Sequence, residues 1–229
     1  MNEGLISTQM GLPGKPILAE ELMVARDLKL ARYADSKIHF TGISSPKSIE
    51  YIKRSKESGI QVTCSITPYQ VYFCDEDLQG YDTNLKLNPP LRTKADMLAM
   101  QKALLDGTID CIASHHLPQH LDNKVCEFEY AKHGMISLET MFAVLMSCGF
   151  PAKDFVQMQT INVRNIFGLP IPVIKEGETA SLTLFVPAEE FTFEESMVQS
   201  KSKNSPFIGK TLKGKVVGII NKSNIHLNN

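Results

Sequence analysis

The sequence lacks the long apolar run that a transmembrane helix requires. About 20 consecutive apolar residues are needed to span a bilayer, and polar or charged residues interrupt every hydrophobic stretch well before that length. The first residues, MNEGLISTQMGLPGKP, also lack the basic segment and the apolar core of a secretory signal peptide. These absences predict a cytoplasmic protein without a membrane partner.

Cysteine pairs and a dominant charge are missing as well. The five cysteines are scattered and include no C-x-x-C pair, which argues against a disulfide framework and a zinc knuckle and favours reduced thiols. The net charge of −1 at pH 7 gives no reason to expect nucleic acid or an anionic membrane surface as a partner. The composition is that of an ordinary globular protein.

Helical and strand patterns alternate along the first two thirds of the chain. The strand patterns, which are short and rich in β-forming residues, are KIHFTG, QVTCSI and IDCIAS. Between them, Ser45 and Pro46 provide an N-cap and a first helical position, and Thr93 begins a helix over residues 94–106. Strand–helix–strand order with short links is typical of parallel βαβ units. The sequence therefore predicts an α/β fold.

The character of the chain changes beyond Gly168. GETASLTLFVP and LKGKVVGII carry β-forming residues between glycine, proline and lysine, and they predict a small β region. We expect an α/β domain over residues 1–168 and a β-rich segment over residues 169–229. Three parallel strands with two crossover helices leave an edge and a face of the sheet that need cover. What covers them is the main structural question that the pattern raises.

The stretch DCIASHHLPQH places three histidines directly after the third predicted strand. Imidazole is a common zinc ligand and a general base near neutral pH, so His115, His116 and His120 are candidates for a metal site or a catalytic base. The alternative is a hydrogen-bonded strand end followed by a surface loop. Adjacent residues of an extended segment point to opposite sides, which favours this alternative. His39, inside the first strand, is interpreted as a core histidine.

Four segments, in this order and spacing, resemble the bacterial dihydroorotases of the longer type, which are cyclic amidohydrolases. The segments are GLPGKPILAEELMVARDLKLA, IHFTGISSPKSIEYIK, VTCSITPYQVYF with KLNPPLR, and GTIDCIASHHLPQH with HGMISLET. The tail SKSKNSPFIGKTLKGKV is similar to the C-terminal segment of that family. The resemblance implies a (β/α)₈ barrel with catalytic groups at the carboxyl ends of the strands, where zinc activates water for attack on dihydroorotate.

The resemblance also implies roles for single positions. Gly42 stands where the family has a metal-binding histidine, and His115 stands where it has the aspartate that binds metal and transfers the proton. Gln119 replaces a substrate-contacting histidine, whereas His116 keeps the pattern. Asn88 matches a substrate-contacting asparagine, although an asparagine before two prolines also suits a turn. We therefore expect a non-functional His115 at the catalytic position and assign substrate binding to Asn88.

The family's D-x-H-x-H metal motif, which lies on its first barrel strand, does not occur in this sequence. By the family pattern, the chain begins about halfway and holds the last three barrel strands. Residues 1–168 are therefore interpreted as a partial (β/α) barrel, and residues 169–229 as part of the family's small β domain. Because none of the usual metal ligands is matched, we expect no bound zinc, although active members of the family bind it.

Three functions remain open on these residues. The first is a catalytically inactive dihydroorotase-like protein of pyrimidine biosynthesis, which is a structural partner of aspartate transcarbamoylase or forms a homo-oligomer. The second is a truncated or split part of a zinc-dependent dihydroorotase that interconverts carbamoyl-aspartate and dihydroorotate. The third is a hydrolase with a rebuilt site formed by His115, His116 and His39.

Overall fold

The computed structural model describes residues 1–228. Its helices are α1 (Leu5–Met10), α2 (Leu18–Tyr33), α3 (Pro46–Glu57), α4 (Lys94–Leu105), α5 (Met141–Ser147), α6 (Ala152–Gln157) and α7 (Val163–Phe167). Its strands are β1 (Ile38–Phe40), β2 (Val62–Ile66), β3 (Cys111–Ile112), β4 (Ser181–Thr192), β5 (Thr211–Asn221) and β6 (Asn224–Leu227). No helix in this described range is both long and apolar enough to cross a membrane.

The chain divides into two compact units. The N-terminal unit comprises Met1–Glu139 and Val198–Pro206. The C-terminal unit comprises Thr140–Met197 and the residues from Phe207 onward. The domain boundary expected between residues 168 and 169 stays a prediction, because compactness alone does not say which part folds independently.

A three-stranded parallel sheet, ordered β1–β2–β3, forms the centre of the N-terminal unit. Ile38 pairs with Val62, and Ser65 pairs with Cys111. The crossover between β1 and β2 contains α3, which begins where the sequence predicts, because the Ser45 side chain accepts hydrogen bonds from backbone N–H groups of the first turn. The crossover between β2 and β3 contains α4. The predicted α/β class is confirmed.

The two faces of this sheet differ in chemistry because successive strand residues point to opposite sides. Val62 and Cys64 of β2 are buried on the face of the sheet that packs beneath the helices. Thr63 and Ser65 point the other way, and His39 of β1 lies directly opposite Thr63. This second face, which we call the polar face, carries hydroxyl and imidazole groups, and both His39 and Thr63 are only half-buried.

An antiparallel sheet, ordered β4–β5–β6, forms the C-terminal unit together with α5, α6 and α7. The ring of Phe142 on α5 packs against those of Phe155 and Phe185, with centroid separations of 5.1 and 4.7 Å. Gly214 of β5 lies directly under α5, since a Cβ atom there would come within 2.6 Å of Met146 Cγ. β4 and β5 correspond to the two predicted β segments, whereas β6 was not predicted.

The guanidinium group of Arg92 joins distant parts of the N-terminal unit. Its Nε donates to Ser44 Oγ at 3.0 Å, and Nη1 donates to Asn2 Oδ1 at 2.9 Å and to the Lys15 carbonyl at 3.1 Å. Nη2 lies 3.9 Å from a carboxylate oxygen of Glu20, and the Arg92 side chain is only 5% exposed. A buried cation is tolerated where its hydrogen-bonding groups are satisfied in this way.

The Glu20 carboxylate in turn caps the turn between β1 and α3. It accepts the backbone N–H of Ser44 at 3.0 Å and that of Ser45 at 2.9 Å, and it also accepts the Ser44 hydroxyl. A carboxylate is favoured there because the first N–H groups of a helix carry partial positive charge. Glu20 therefore connects α2 to the residues that follow β1.

Replacing Arg92 with methionine is expected to lower the free energy of unfolding by about 3 kcal/mol, because the buried Glu20 carboxylate and several acceptors lose their donor. The double variant Arg92→Met, Glu20→Gln should recover part of that loss. Arg26→Met is the matched control, since Arg26 is exposed and its ion pair is with its neighbour Asp27. Urea denaturation measures all three. An unchanged midpoint for Arg92→Met would contradict the role assigned to the cluster.

Candidate functional site

The carboxyl ends of β1, β2 and β3 bring three sequence segments to one edge of the parallel sheet. Thr41 and Gly42 follow β1, Thr67 follows β2, and Ser114 and His115 follow β3. In α/β folds, functional side chains collect at this edge because consecutive parallel strands all end there. The structure therefore places Gly42 and His115, which were singled out from the sequence, on neighbouring loops of one site.

Gly42 and His115 share a single side-chain volume. A Cβ atom at Gly42 would lie 2.3 Å from Cε1 and 3.0 Å from Nδ1 of the His115 imidazole, and real Cβ atoms essentially never come closer than 3.0 Å. Gly42 has a φ of +69°, in the left-handed region that favours glycine. His115 has a φ of +43°, which is uncommon for a residue with a side chain. The imidazole thus fills the space that any side chain at position 42 would need.

A string of hydrogen-bonding groups runs from His115 along the polar face. Nε2 of His115 lies 2.8 Å from Thr41 Oγ1, which accepts a hydrogen bond from Ser65 Oγ at 3.1 Å. His39 Nε2 lies 3.4 Å from Ser65 Oγ, and His39 Nδ1 lies 2.7 Å from Thr63 Oγ1. Burial lowers the pKa of both His39 and His115. Both imidazoles are therefore expected to be neutral at pH 7 and bonded to hydroxyl groups.

The other two histidines of the cluster lie apart from this string. His116 Nδ1 accepts the backbone N–H groups of Ser137 and Leu138 at 3.1 and 3.3 Å, so this nitrogen carries no proton and has no lone pair left for a metal. His120 is exposed, and its Nδ1 lies 3.3 Å from a carboxylate oxygen of Asp122. The three histidines of the DCIASHHLPQH stretch thus have three separate sets of partners.

The residues present do not fit a zinc site. Zinc in proteins is held by three or four converging nitrogen, sulfur or oxygen ligands. Within residues 1–228, no group of three or more histidine, cysteine, aspartate or glutamate side chains is placed to hold a metal ion. Gly42 offers no side chain, and the Nε2 atom of His115 is engaged with Thr41. The rebuilt site with His115, His116 and His39 is not formed by this arrangement.

Asn88 lies at the surface of the N-terminal unit, where its Oδ1 accepts a hydrogen bond from Lys15 Nζ at 3.0 Å. Gln119, at the family's substrate-histidine position, donates from Nε2 to the His133 carbonyl at 2.9 Å. Its backbone N–H donates to Asn204 Oδ1 at 3.1 Å. Asn204 belongs to the tail segment SKSKNSPF, which was recognised from the sequence as family-like, but its contact with Gln119 was not predicted.

His133 lies in a strongly cationic environment that the sequence did not reveal. Burial and the charges of Lys15, Lys86, the terminal amino group and Lys124 lower its pKa to about 4. The Lys124 ammonium group is itself buried, donates to the carbonyls of Thr83 and Lys132, and has a pKa lowered to about 8 by burial. These interactions link segments far apart in sequence, and no local pattern indicates them.

Comparison with known proteins gives one consistent family. A model of the amidohydrolase family matches residues 18–225. A dihydroorotase from Geobacter sp. strain M21 is 39% identical over 229 residues, which cover 98% of this chain and 54% of the relative. A dihydroorotase from Caldicellulosiruptor saccharolyticus is 40% identical over 225 residues, which cover 96% of this chain and 52% of the relative. The chain thus spans about half the length of these relatives, and the resemblance seen in the sequence is confirmed.

Solved structures give the same fold. An L-hydantoinase (dihydropyrimidinase) from Arthrobacter aurescens superposes with a TM-score of 0.83 at 20% identity, over 92% of this chain and 49% of that one. The inactive dihydroorotase-like domain of a CAD-like multifunctional protein from Chaetomium thermophilum gives a TM-score of 0.65 at 23% identity, over 88% and 54%. At these identities the similarity is one of fold.

Gly42→Ala is expected to lower the free energy of unfolding by more than the cost of placing an alanine in a left-handed backbone conformation. The left-handed backbone costs an alanine about 1–2 kcal/mol, and displacement of the His115 ring should add at least about 1 kcal/mol. Gly59→Ala is the control, because Gly59 has a φ of +84° and a Cβ atom there meets nothing within 4 Å. The double variant Gly42→Ala, His115→Ala should return to the loss seen for Gly59→Ala in chemical denaturation. Equal losses of stability for Gly42→Ala and Gly59→Ala would show that the His115 ring does not occupy this space.

Stability should fall as the pH is lowered from 6.5 towards 4, in part because of His133. The folded-state pKa of about 4 lies below the ordinary value of 6.5. Between pH 6.5 and 4 the unfolded chain binds a proton at His133 that the folded protein does not. The contribution of His133 to the free energy of unfolding is therefore fully present above pH 6.5 and is lost on acidification. Urea denaturation between pH 7.5 and 4.5 should show a shallower decline for His133→Gln than for the unmodified protein. The same decline in stability with pH for both proteins would contradict the lowered pKa of His133.

Proposed function

Because the chain belongs to the amidohydrolase family, we propose that it is a dihydroorotase-like protein whose own residues do not support hydrolysis. One observation supports this proposal above the others. The His115 imidazole fills the side-chain space at Gly42, and these are the two positions where the family's pattern places a metal-binding histidine and a catalytic aspartate. Restoring a histidine at position 42 therefore requires His115 to change as well.

The chemistry of cyclic amide hydrolysis explains why this replacement matters. A bound zinc ion lowers the pKa of its water to about 7, and a carboxylate beside it moves the proton. A neutral imidazole at position 115 supplies no negative charge, and its Nε2 atom is engaged with Thr41 Oγ1 at 2.8 Å. The chain therefore holds neither part of that machinery at this strand end, and we expect it to bind no zinc there.

The role that we propose is structural, in the cytoplasm and in the context of pyrimidine biosynthesis. Non-catalytic dihydroorotase homologues in some bacteria assemble with aspartate transcarbamoylase, and the family resemblance makes that enzyme the partner we propose. A homo-oligomer is the other assembly that we consider. Asn88 remains the residue proposed to contact a carboxylate-bearing ligand, since its side chain is at the surface and beside the Lys15 ammonium group.

A second candidate function follows from the length of the match. The chain spans 54% of the Geobacter dihydroorotase, and its sheet has three parallel strands with a half-buried polar face. These features fit a partial (β/α) barrel, which a second polypeptide could complete by covering the open edge and the polar face. In this reading the chain is a truncated or split part of a zinc-dependent dihydroorotase. Gly42 and His115 would still lack the family's ligands in the completed barrel.

The deciding experiment compares the full chain with an active dihydroorotase relative under the same conditions. Zinc content is measured by mass spectrometry, and dihydroorotate formation from carbamoyl-aspartate by chromatography. The chain alone should contain no stoichiometric zinc and give no turnover, and gel filtration should show a complex with aspartate transcarbamoylase. Stoichiometric zinc with turnover by the chain alone would overturn the proposal. Turnover that appears only after adding the relative's other half would support the second candidate function instead.

A further inference from the structure

A cleft between α2 and α3 lies at the opposite end of the sheet from Gly42 and His115. Its lining includes Arg32, in the last turn of α2 before β1, and Ile60, two residues before β2 begins. The cleft has a volume of about 390 Å³, within the range of about 300–1,000 Å³ that is usual for sites of small ligands. Because its lining lies before the strands begin, the cleft is separate from the site at the carboxyl ends of the strands.

The charged groups of the cleft all have one sign. Lys29, Arg32 and Arg54 line it, and no aspartate or glutamate does. Lys29 and Arg32 form no ion pair within the part of the chain that the structure describes. A cation in the last turn of a helix interacts favourably with the helix dipole. This interaction explains the presence of Arg32 at the end of α2 and of Arg54 at the end of α3, each taken alone. It does not account for three cations that face one concave surface lined by no carboxylate, since Glu50, the ion-pair partner of Arg54, lies outside the lining.

The arginine side chains are held in place rather than free. Arg32 Nη2 donates to Ser58 Oγ at 2.7 Å, and the Ser58 hydroxyl donates to the Ser55 carbonyl at 2.9 Å. Arg54 forms an ion pair with Glu50, one helical turn away. Each guanidinium group has five N–H donors in a planar fork, so these contacts leave donors available for a bound oxyanion. A cation that is already ordered loses less conformational entropy on binding.

The remainder of the lining is apolar and aromatic. Leu28, which is only 5% exposed, and Ile60 supply aliphatic surface. Tyr51 supplies a half-buried ring, with the Lys47 ammonium group 5.4 Å from its centroid. Such a surface accepts a flat apolar group by stacking and burial. The cleft thus combines a cationic rim with an apolar floor.

We propose that this cleft binds a small organic phosphate, with the phosphate on Lys29, Arg32 and Arg54 and a flat apolar group against Tyr51 and Leu28. Guanidinium groups match the geometry of phosphate oxygens through paired N–H donors, and the apolar floor distinguishes an organic phosphate from the inorganic ion. The site does not depend on the proposed function, because none of its residues lies at the carboxyl ends of the strands.

The test uses the full chain and three probes, namely phenyl phosphate, inorganic phosphate and phenol, in isothermal titration calorimetry at constant ionic strength. Phenyl phosphate should bind, and each of the other two at least tenfold more weakly, because each offers only half of the recognised chemistry. Equal affinity for inorganic and phenyl phosphate would overturn the proposal, as would the absence of phenyl phosphate binding at millimolar concentration.

Matched variants locate the site. Arg32→Met should weaken phenyl phosphate binding at least tenfold, whereas Arg26→Met, the same substitution on an exposed part of the same helix, should leave the affinity unchanged. Lys29→Met gives a second variant if loss of the Arg32–Ser58 hydrogen bond impairs folding, and thermal melting checks this. Equal losses for Arg26→Met and the two lining variants would mean that net charge alone attracts the ligand, and would overturn the assignment to the cleft.

Discussion

The space beside Gly42 holds one side chain, and in this protein that side chain is the imidazole of His115. This steric constraint fixes several features together. It keeps residue 42 without a Cβ atom, it accompanies a left-handed backbone at both residues, and it brings His115 within hydrogen-bonding distance of Thr41. A single exchange at either position would leave a clash or a void, so the two positions form one unit in structural terms.

The loop that carries Gly42 is held from several directions. The backbone N–H of Ile43 donates to the Ser65 carbonyl at 3.0 Å, which continues the pairing between β1 and β2 beyond the strand. Glu20 binds the backbone of Ser44 and Ser45, and Arg92 anchors Glu20 and Ser44 from the far side. The strand end is therefore ordered by buried polar groups that have no part in metal chemistry. These contacts do not involve the side chains of residues 42 and 115.

The architecture of the N-terminal unit was largely predictable because its signals are local. Three runs of β-forming residues and capped helices after Ser45 and Thr93 point to the same parallel order. The links are short as expected, except for the long connection over residues 67–93 between β2 and α4. Elements without such signals were missed. α1 has only six residues and follows a glycine, so no helical period is visible. β6 consists of four exposed residues and pairs with β5 through a tight turn, and its alternation of polar and apolar residues is too short to distinguish a strand from a loop.

The candidate site was predictable in its location but not in its contacts. Strand-end positions and family motifs singled out Gly42 and His115, which the structure brings together, whereas the substrate-binding role of Asn88 stays a prediction. The exclusion of a side chain by the His115 ring depends on two backbone torsions and one rotamer, which residue types do not determine. The buried Lys124 and the neutral His133 depend on carbonyl, ammonium and amino groups, many of which come from distant segments of the chain. Long-range electrostatics of this kind is visible only in three dimensions.

The groups that stabilise the fold differ from the groups that would perform catalysis, even where they lie close together. The Ser45 cap and the Arg92 cluster adjoin the loop after β1 without involving the side chains of residues 42 and 115, and the buried apolar residues lie elsewhere in the sheet. Metal ligands at a strand end are instead a cost to stability in the absence of metal, because converging imidazoles and carboxylates must be desolvated or repel one another. Under the proposed function, a glycine and a hydroxyl-bonded neutral imidazole at these positions carry no such cost. The absence of metal ligands that we propose is therefore compatible with the fold on physical grounds.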